Sequence, residues 1–89
     1  MSKSVLIKVI TPLNNKMELK TLLKEFNIRE NGENEFLLSF NQKWIWLFFE
    51  VLNENVYDLQ FSHDFTKDER VLFLEVLKNK IDYLIVDSD

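Results

Sequence analysis

Lys43-Trp44-Ile45-Trp46-Leu47-Phe48-Phe49-Glu50-Val51-Leu52 gathers both tryptophans and two of the eight phenylalanines of the chain into one run. Periodicity leaves it open between strand and helix, since Trp44, Leu47, Phe48, Val51 and Leu52 also fit one helical face. Two features favour a strand. Aromatic and β-branched residues dominate the run, and turn chemistry brackets it, with Asn41-Gln42 before and Asn53-Glu54-Asn55 after.

The flanking segments supply the partners. In 35–41, Phe36, Leu38 and Phe40 alternate with Leu37 and Ser39. In 56–62, Tyr57, Leu59 and Phe61 alternate with Val56, Asp58, Gln60 and Ser62, the period of a half-buried strand. With Asn41-Gln42 as a two-residue loop, Phe40 faces Lys43, Leu38 faces Ile45 and Phe36 faces Leu47, while Ser39 and Leu37 face Trp44 and Trp46. With 53–55 as a three-residue loop, Val51 faces Tyr57, Phe49 faces Leu59 and Leu47 faces Phe61, which puts Glu50 beside Asp58 and Phe48 beside Gln60. Both hairpins assign the same faces. Ile45, Leu47, Phe49 and Val51 belong to the core, and Trp44, Trp46 and Phe48 lie on the opposite face with Leu37, Ser39, Glu50, Asp58 and Gln60. Sliding the second loop by one residue would exchange the faces and bury Glu50 unpaired, which disfavours it.

Outward from this meander, 4–10 is rich in β-branched residues and reads as a first strand ending at Thr11-Pro12. Leu19, Leu22, Leu23 and Phe26 recur at i, i+3, i+4 and i+7, which predicts a helix over about 15–27 with Asn14 or Asn15 as N-cap. Residues 28–34, with the single glycine Gly32, read as a loop. Thr66-Lys67-Asp68-Glu69 is a capping box that opens a helix over about 67–80. Its apolar stripe is Phe73, Leu74, Leu77 and Ile81, widened by Leu72 and Val76 toward the first helix. Residues 82–87 read as a last strand. The chain order β-α-β-β-β-α-β predicts an α+β two-layer sandwich: a mixed sheet of about five strands, the first and last side by side at its centre, and both helices on one face.

Eighty-nine residues make one domain, 1–89, and a chain of this length buries only ~60–65% of its unfolded surface, so nearly every large apolar residue is needed in the core. With 46% hydrophobic and 29% charged residues the composition is that of a globular protein rather than a disordered one. Cysteine is absent, which excludes disulfides and thiolate metal sites. No signal-peptide core or spanning helix is present in the pattern, so the expectation is a soluble, cytoplasmic protein. A net charge of −4 argues against a phosphate-binding surface.

The strand–helix opening, the helix–strand finish and the length resemble the barstar family of small intracellular ribonuclease inhibitors, and Asn31-Gly32-Glu33-Asn34 resembles part of the binding region of that family. The resemblance implies an inhibitor that works by binding a protein. It is partial, because where the family has its inhibitory helix this sequence has 36–40 and the aromatic run, both read as strands.

Catalytic candidates are few. His63 is the only histidine, and its neighbours Ser62 and Asp64 would point to the opposite face of an extended segment, so they form neither a hydrolytic triad nor a metal-ligand spacing. Glu50 and Asp58 side by side read as a solvated pair before they read as a general acid/base dyad. No enzyme, metal or cofactor is expected. Two function classes follow. One is a non-catalytic protein-binding module, such as a small inhibitor, an immunity or antitoxin-like protein, or a phage counter-defence factor, that uses Trp44, Trp46, Phe48, Leu37, Glu50, Asp58 and Gln60 against a partner or, as a homodimer, against a second copy. The other is a single-stranded nucleic-acid binder with an aromatic platform, which would require basic residues around the rings.

Overall fold

The computed structural model describes residues 3–50 and 55–88. In chain order its elements are β1 (Lys3–Val9), α1 (Met17–Leu22), β2 (Arg29–Gly32), β3 (Glu35–Phe40), β4 (Lys43–Phe49), β5 (Val56–Phe61), α2 (Lys67–Lys78) and β6 (Tyr83–Ser88), with a 3-10 turn at Lys24–Phe26 after α1. The strands form one six-stranded sheet in the order β2-β3-β4-β5-β1-β6. Every pairing is antiparallel.

The aromatic run is a strand as far as Phe49, while Val51 and Leu52, with the core placement of Val51, lie outside the described residues. Asn41 and Gln42 take φ values of 53° and 64°, the pair of positive angles that a two-residue hairpin loop needs to follow the twist of its strands. The β3–β4 register is the one this loop dictates, from Phe40 opposite Lys43 to Phe36 opposite Leu47. The second hairpin differs from expectation by two residues: Phe49 faces Tyr57, Leu47 faces Leu59, Phe48 faces Asp58 and Trp46 faces Gln60. At this end of the pairing the Glu50 N–H donates to the Val56 carbonyl at 3.1 Å. A slip of two leaves every side chain on its own face.

Three expectations about the sheet are corrected. It has six strands rather than five, because 29–32 pair with β3 instead of forming a loop. All four residues of β2 are exposed and show no alternation, and Gly32, at φ +154°, sits where the register shifts opposite Glu35. The sheet is antiparallel rather than mixed. The first and last strands are neighbours as expected, but β6 is an edge strand and only β1 is interior. The segments 36–40 and 43–49, where the barstar resemblance would call for a helix, are β3 and β4.

One cluster of buried side chains joins the helices to one sheet face: Val5, Ile7 and Val9 from β1, Phe36 and Leu38 from β3, Ile45 and Leu47 from β4, and Tyr57, Leu59 and Phe61 from β5 lie under Leu19, Leu23, Phe26, Phe73 and Leu77. On α2, Leu74 and Val76 are half-buried, but Leu72 stands 46% exposed and does not widen the buried stripe. The first helix is shorter than the stripe predicted, and its N-cap is Lys16 rather than Asn14 or Asn15, although Asn15 Oδ1 accepts the Met17 N–H at 2.9 Å.

The capping box of α2 is complete, with Thr66 Oγ1 accepting from the Glu69 N–H at 3.1 Å and the Glu69 carboxylate accepting from the Thr66 N–H at 3.0 Å. The same carboxylate takes a hydrogen bond from Lys43 Nζ at 2.5 Å, which ties the start of β4 to the start of α2. Lys43, and after it the Thr66 amide, hold the Glu69 carboxyl down at about 2, below its ordinary 4.5. Because the folded value is the lower one, this contribution is fully present above pH 4.5 and is lost as pH falls through the interval down to 2. Glu69→Gln is expected to lower stability near neutral pH and to flatten the acid limb of the stability profile in that interval, as read by chemical unfolding at a series of pH values.

Candidate functional site

Side chains that alternate away from the helices make up the outer sheet face, and the observed registers arrange them in rows. One row runs Arg29, Leu37, Trp46, Gln60, Ser4 across β2, β3, β4, β5 and β1. The next runs Glu35, Phe48, Asp58, Leu6, Asp87 from β3 to β6. Trp44 stands opposite Ser39 at one end. No described element crosses this face. Trp46, Phe48, Leu37 and Leu6 are half-buried, and Trp44 is 41% exposed.

Of the seven residues that the sequence nominates, six come together here: Trp44, Trp46, Phe48, Leu37, Asp58 and Gln60. Glu50 does not join them. It lies beyond the end of β4, beside Leu13, Asn14, Asn15 and Lys16 in a polar notch bordered by Phe49 and Tyr57, which belong to the core face. Glu50 and Asp58 are therefore not cross-strand neighbours, and Phe48 takes the place opposite Asp58.

The structure adds residues that sequence reasoning missed. Leu6 and Ser4 reach the face because β1 pairs with β5, a long-range pairing that no turn announces. Arg29 reaches it because β2 is a strand, and its guanidinium lies 5.2 Å from the Trp44 ring centroid, a cation–π contact. Lys24, Asn27 and Ile28 adjoin this corner and line a recess of about 400 Å³ with Arg29 and Trp44.

Charge is divided across the platform. Lys24 and Arg29 stand at the Trp44 corner, whereas Glu35, Asp58 and Asp87 lie along the Phe48 row, where Ser4, Leu6, Asp58, Asp87 and Ser88 outline a shallow recess. Gln60 Nε2 donates to Asp58 Oδ2 at 3.0 Å, and the Asn31 side-chain amide donates to the Glu35 carboxylate. These bonds fix the carboxylates facing outward.

Ser62 and Asp64 turn to each other, with Ser62 Oγ donating to Asp64 Oδ1 at 2.5 Å. That bond above all lowers the Asp64 pKa. His63 is exposed between them. Among the described residues no group of three or more His, Asp or Glu is placed to hold a metal ion, and no helix is long and apolar enough to cross a membrane. Comparison with known protein families, curated proteins and solved structures finds no match to this chain. The functional reading rests on the surface.

Proposed function

We propose that this chain is a non-catalytic protein-binding domain that presents the outer face of its sheet to another protein, in the manner of a small inhibitor, immunity or antitoxin-like protein or phage counter-defence factor. The observation that carries this reading is the sheet face bearing Trp44, Trp46, Phe48, Leu37 and Leu6, which offers aromatic and aliphatic contact area without a described element over it. Tryptophan and arginine are the residues most often found at binding hot spots, and Arg29 over Trp44 is pre-positioned for one. The charge division gives the partner an orientation: a basic group meets Glu35, Asp58 and Asp87, and an acidic group meets Lys24 and Arg29. Single-stranded nucleic acid is the less favoured ligand, because phosphates tracking along the Phe48 row would meet three carboxylates.

The test is capture from the native host with the immobilised chain, followed by identification and titration of the captured protein. Sizing chromatography of the isolated chain separates a second copy on this face from a different protein. A partner that binds Trp46→Asp as well as the parent chain, or salt-dependent retention of single-stranded nucleic acid in its place, would overturn the reading.

A further inference from the structure

Asn31-Gly32 is the one place in the chain where asparagine precedes glycine, and Gly32 is the single glycine. The order matters chemically. The side-chain amide carbon of an asparagine stands where the backbone nitrogen of the next residue can close a five-membered ring on it. A side chain on that next residue crowds the approach, and glycine has none. Every other asparagine is followed by a residue with a side chain, Ile28 after Asn27 and Lys80 after Asn79 among them. The Lys80 N–H is also held by the Leu77 carbonyl at 2.9 Å.

The fold adds to this. Asn31 lies in β2, an edge strand whose four residues are all exposed and contribute nothing to the buried core. Glu30 pairs with Phe36 and Gly32 with Glu35, so Asn31 is the extra residue where the register shifts. Gly32, at φ +154°, holds a conformation that residues with a side chain rarely adopt. The irregularity that calls for glycine thus also leaves the nitrogen next to Asn31 uncrowded. Ring closure needs a backbone rotation at Asn31, and a strand paired on one side only, with no buried anchor, opens locally at little cost. The side-chain restraint is the hydrogen bond from the Asn31 amide to the Glu35 carboxylate, an exposed bond that water can replace.

We propose that Asn31 is a site of spontaneous covalent modification, at which the native chain loses ammonia to form a succinimide and then opens to aspartate and isoaspartate. The Gly32 nitrogen gives its proton to water and bonds to Asn31 Cγ. The bond from Cγ to Nδ2 breaks, and Nδ2 takes a proton from solvent and leaves as ammonia. Water then adds to one of the two ring carbonyls. Addition at Cγ breaks the new bond and leaves aspartate in an unchanged backbone. Addition at the Asn31 backbone carbonyl breaks the original peptide bond and leaves isoaspartate, with the chain running through Cβ and Cγ. The net exchange is one water in and one ammonia out. Aspartate sets a second carboxylate against that of Glu35 where the amide had donated. Isoaspartate adds a methylene to the backbone of β2, two residues from the Arg29 that lies over Trp44. The chemistry does not depend on the function proposed for the outer face.

The test is incubation of the full chain at physiological temperature and mildly alkaline pH, with and without denaturing urea, each asparagine being followed by peptide mapping. Conversion at Asn31 is expected to be about tenfold or more faster than at any other asparagine, with isoaspartate in excess over aspartate. The native rate is expected to lie within about a hundredfold of the rate in urea, because β2 opens without global unfolding. Asn31→Gln, which would have to close a larger ring, is expected to keep the circular dichroism spectrum and to remove most of the ammonia released. Faster conversion at another asparagine, aspartate without isoaspartate, a native rate below that range, or unchanged ammonia release from Asn31→Gln would overturn the proposal.

Discussion

Replacing Phe73 by alanine is expected to remove about 3–5 kcal/mol of folding stability, enough to bring a domain of this size close to its unfolding threshold. Phe73 is fully buried on α2, and its ring packs edge-on or tilted against Phe26, Phe40 and Phe61 at centroid distances of 5.1, 5.5 and 5.8 Å. Those three rings come from the turn after α1, from β3 and from β5, so one side chain joins the first helix, the meander and the second helix. Truncation removes the transfer energy of the ring and leaves a void at the junction of three elements that cannot all close on it. Urea unfolding is expected to show a lowered midpoint with little change in slope, and thermal unfolding a fall of more than about 10 °C. Leu72→Ala, on the same helix but 46% exposed, should change the midpoint far less.

The second large effect is on binding. Trp46→Asp is expected to weaken capture of the partner by about 30-fold to 1,000-fold, the range that loss of a central aromatic hot spot produces. Trp46 occupies the middle of an outer-face row, between Leu37 and Gln60, and its substitution places a carboxylate where the partner must exclude water. Trp44→Asp acts through a second route, since it also removes the ring on which Arg29 rests. The charge division adds a signature: Asp58→Lys should slow association and reverse its salt dependence while changing dissociation less.

Much of the fold was legible where local chemistry decides it. The Asn41-Gln42 turn fixed one hairpin register, because two residues tolerant of positive φ leave a single way to close the loop. The Thr66–Glu69 capping box marked the start of α2 to the residue. Face assignment survived the two-residue error in the second hairpin because side chains in a strand repeat every two. The rest depended on pairings distant in sequence. β2 carries no hydrophobic signal and is a strand only because β3 offers it an edge. β6 is apolar enough to read as an interior strand, yet it lies at the edge with its apolar side chains in solvent. The site shared this limit. Its β4 core of Trp44, Trp46 and Phe48 follows from the meander, whereas Leu6 and Arg29 arrive from strands whose neighbours no turn reveals, and Glu50 was assigned to a strand that ends one residue before it.

The central claim is that the aromatic run is divided residue by residue between a packed face and a binding face, and equilibrium unfolding of Trp46→Asp beside Leu47→Asp tests it most directly. Leu47 is 1% exposed between Phe36 and Leu59, so a carboxylate there is buried without a partner. Trp46, one residue earlier, faces the uncovered side, where a carboxylate stays hydrated. The account predicts a cooperative transition for Trp46→Asp close to that of the parent chain, and no folded baseline for Leu47→Asp. Loss of the folded state in Trp46→Asp, or a stable fold in Leu47→Asp, would contradict it.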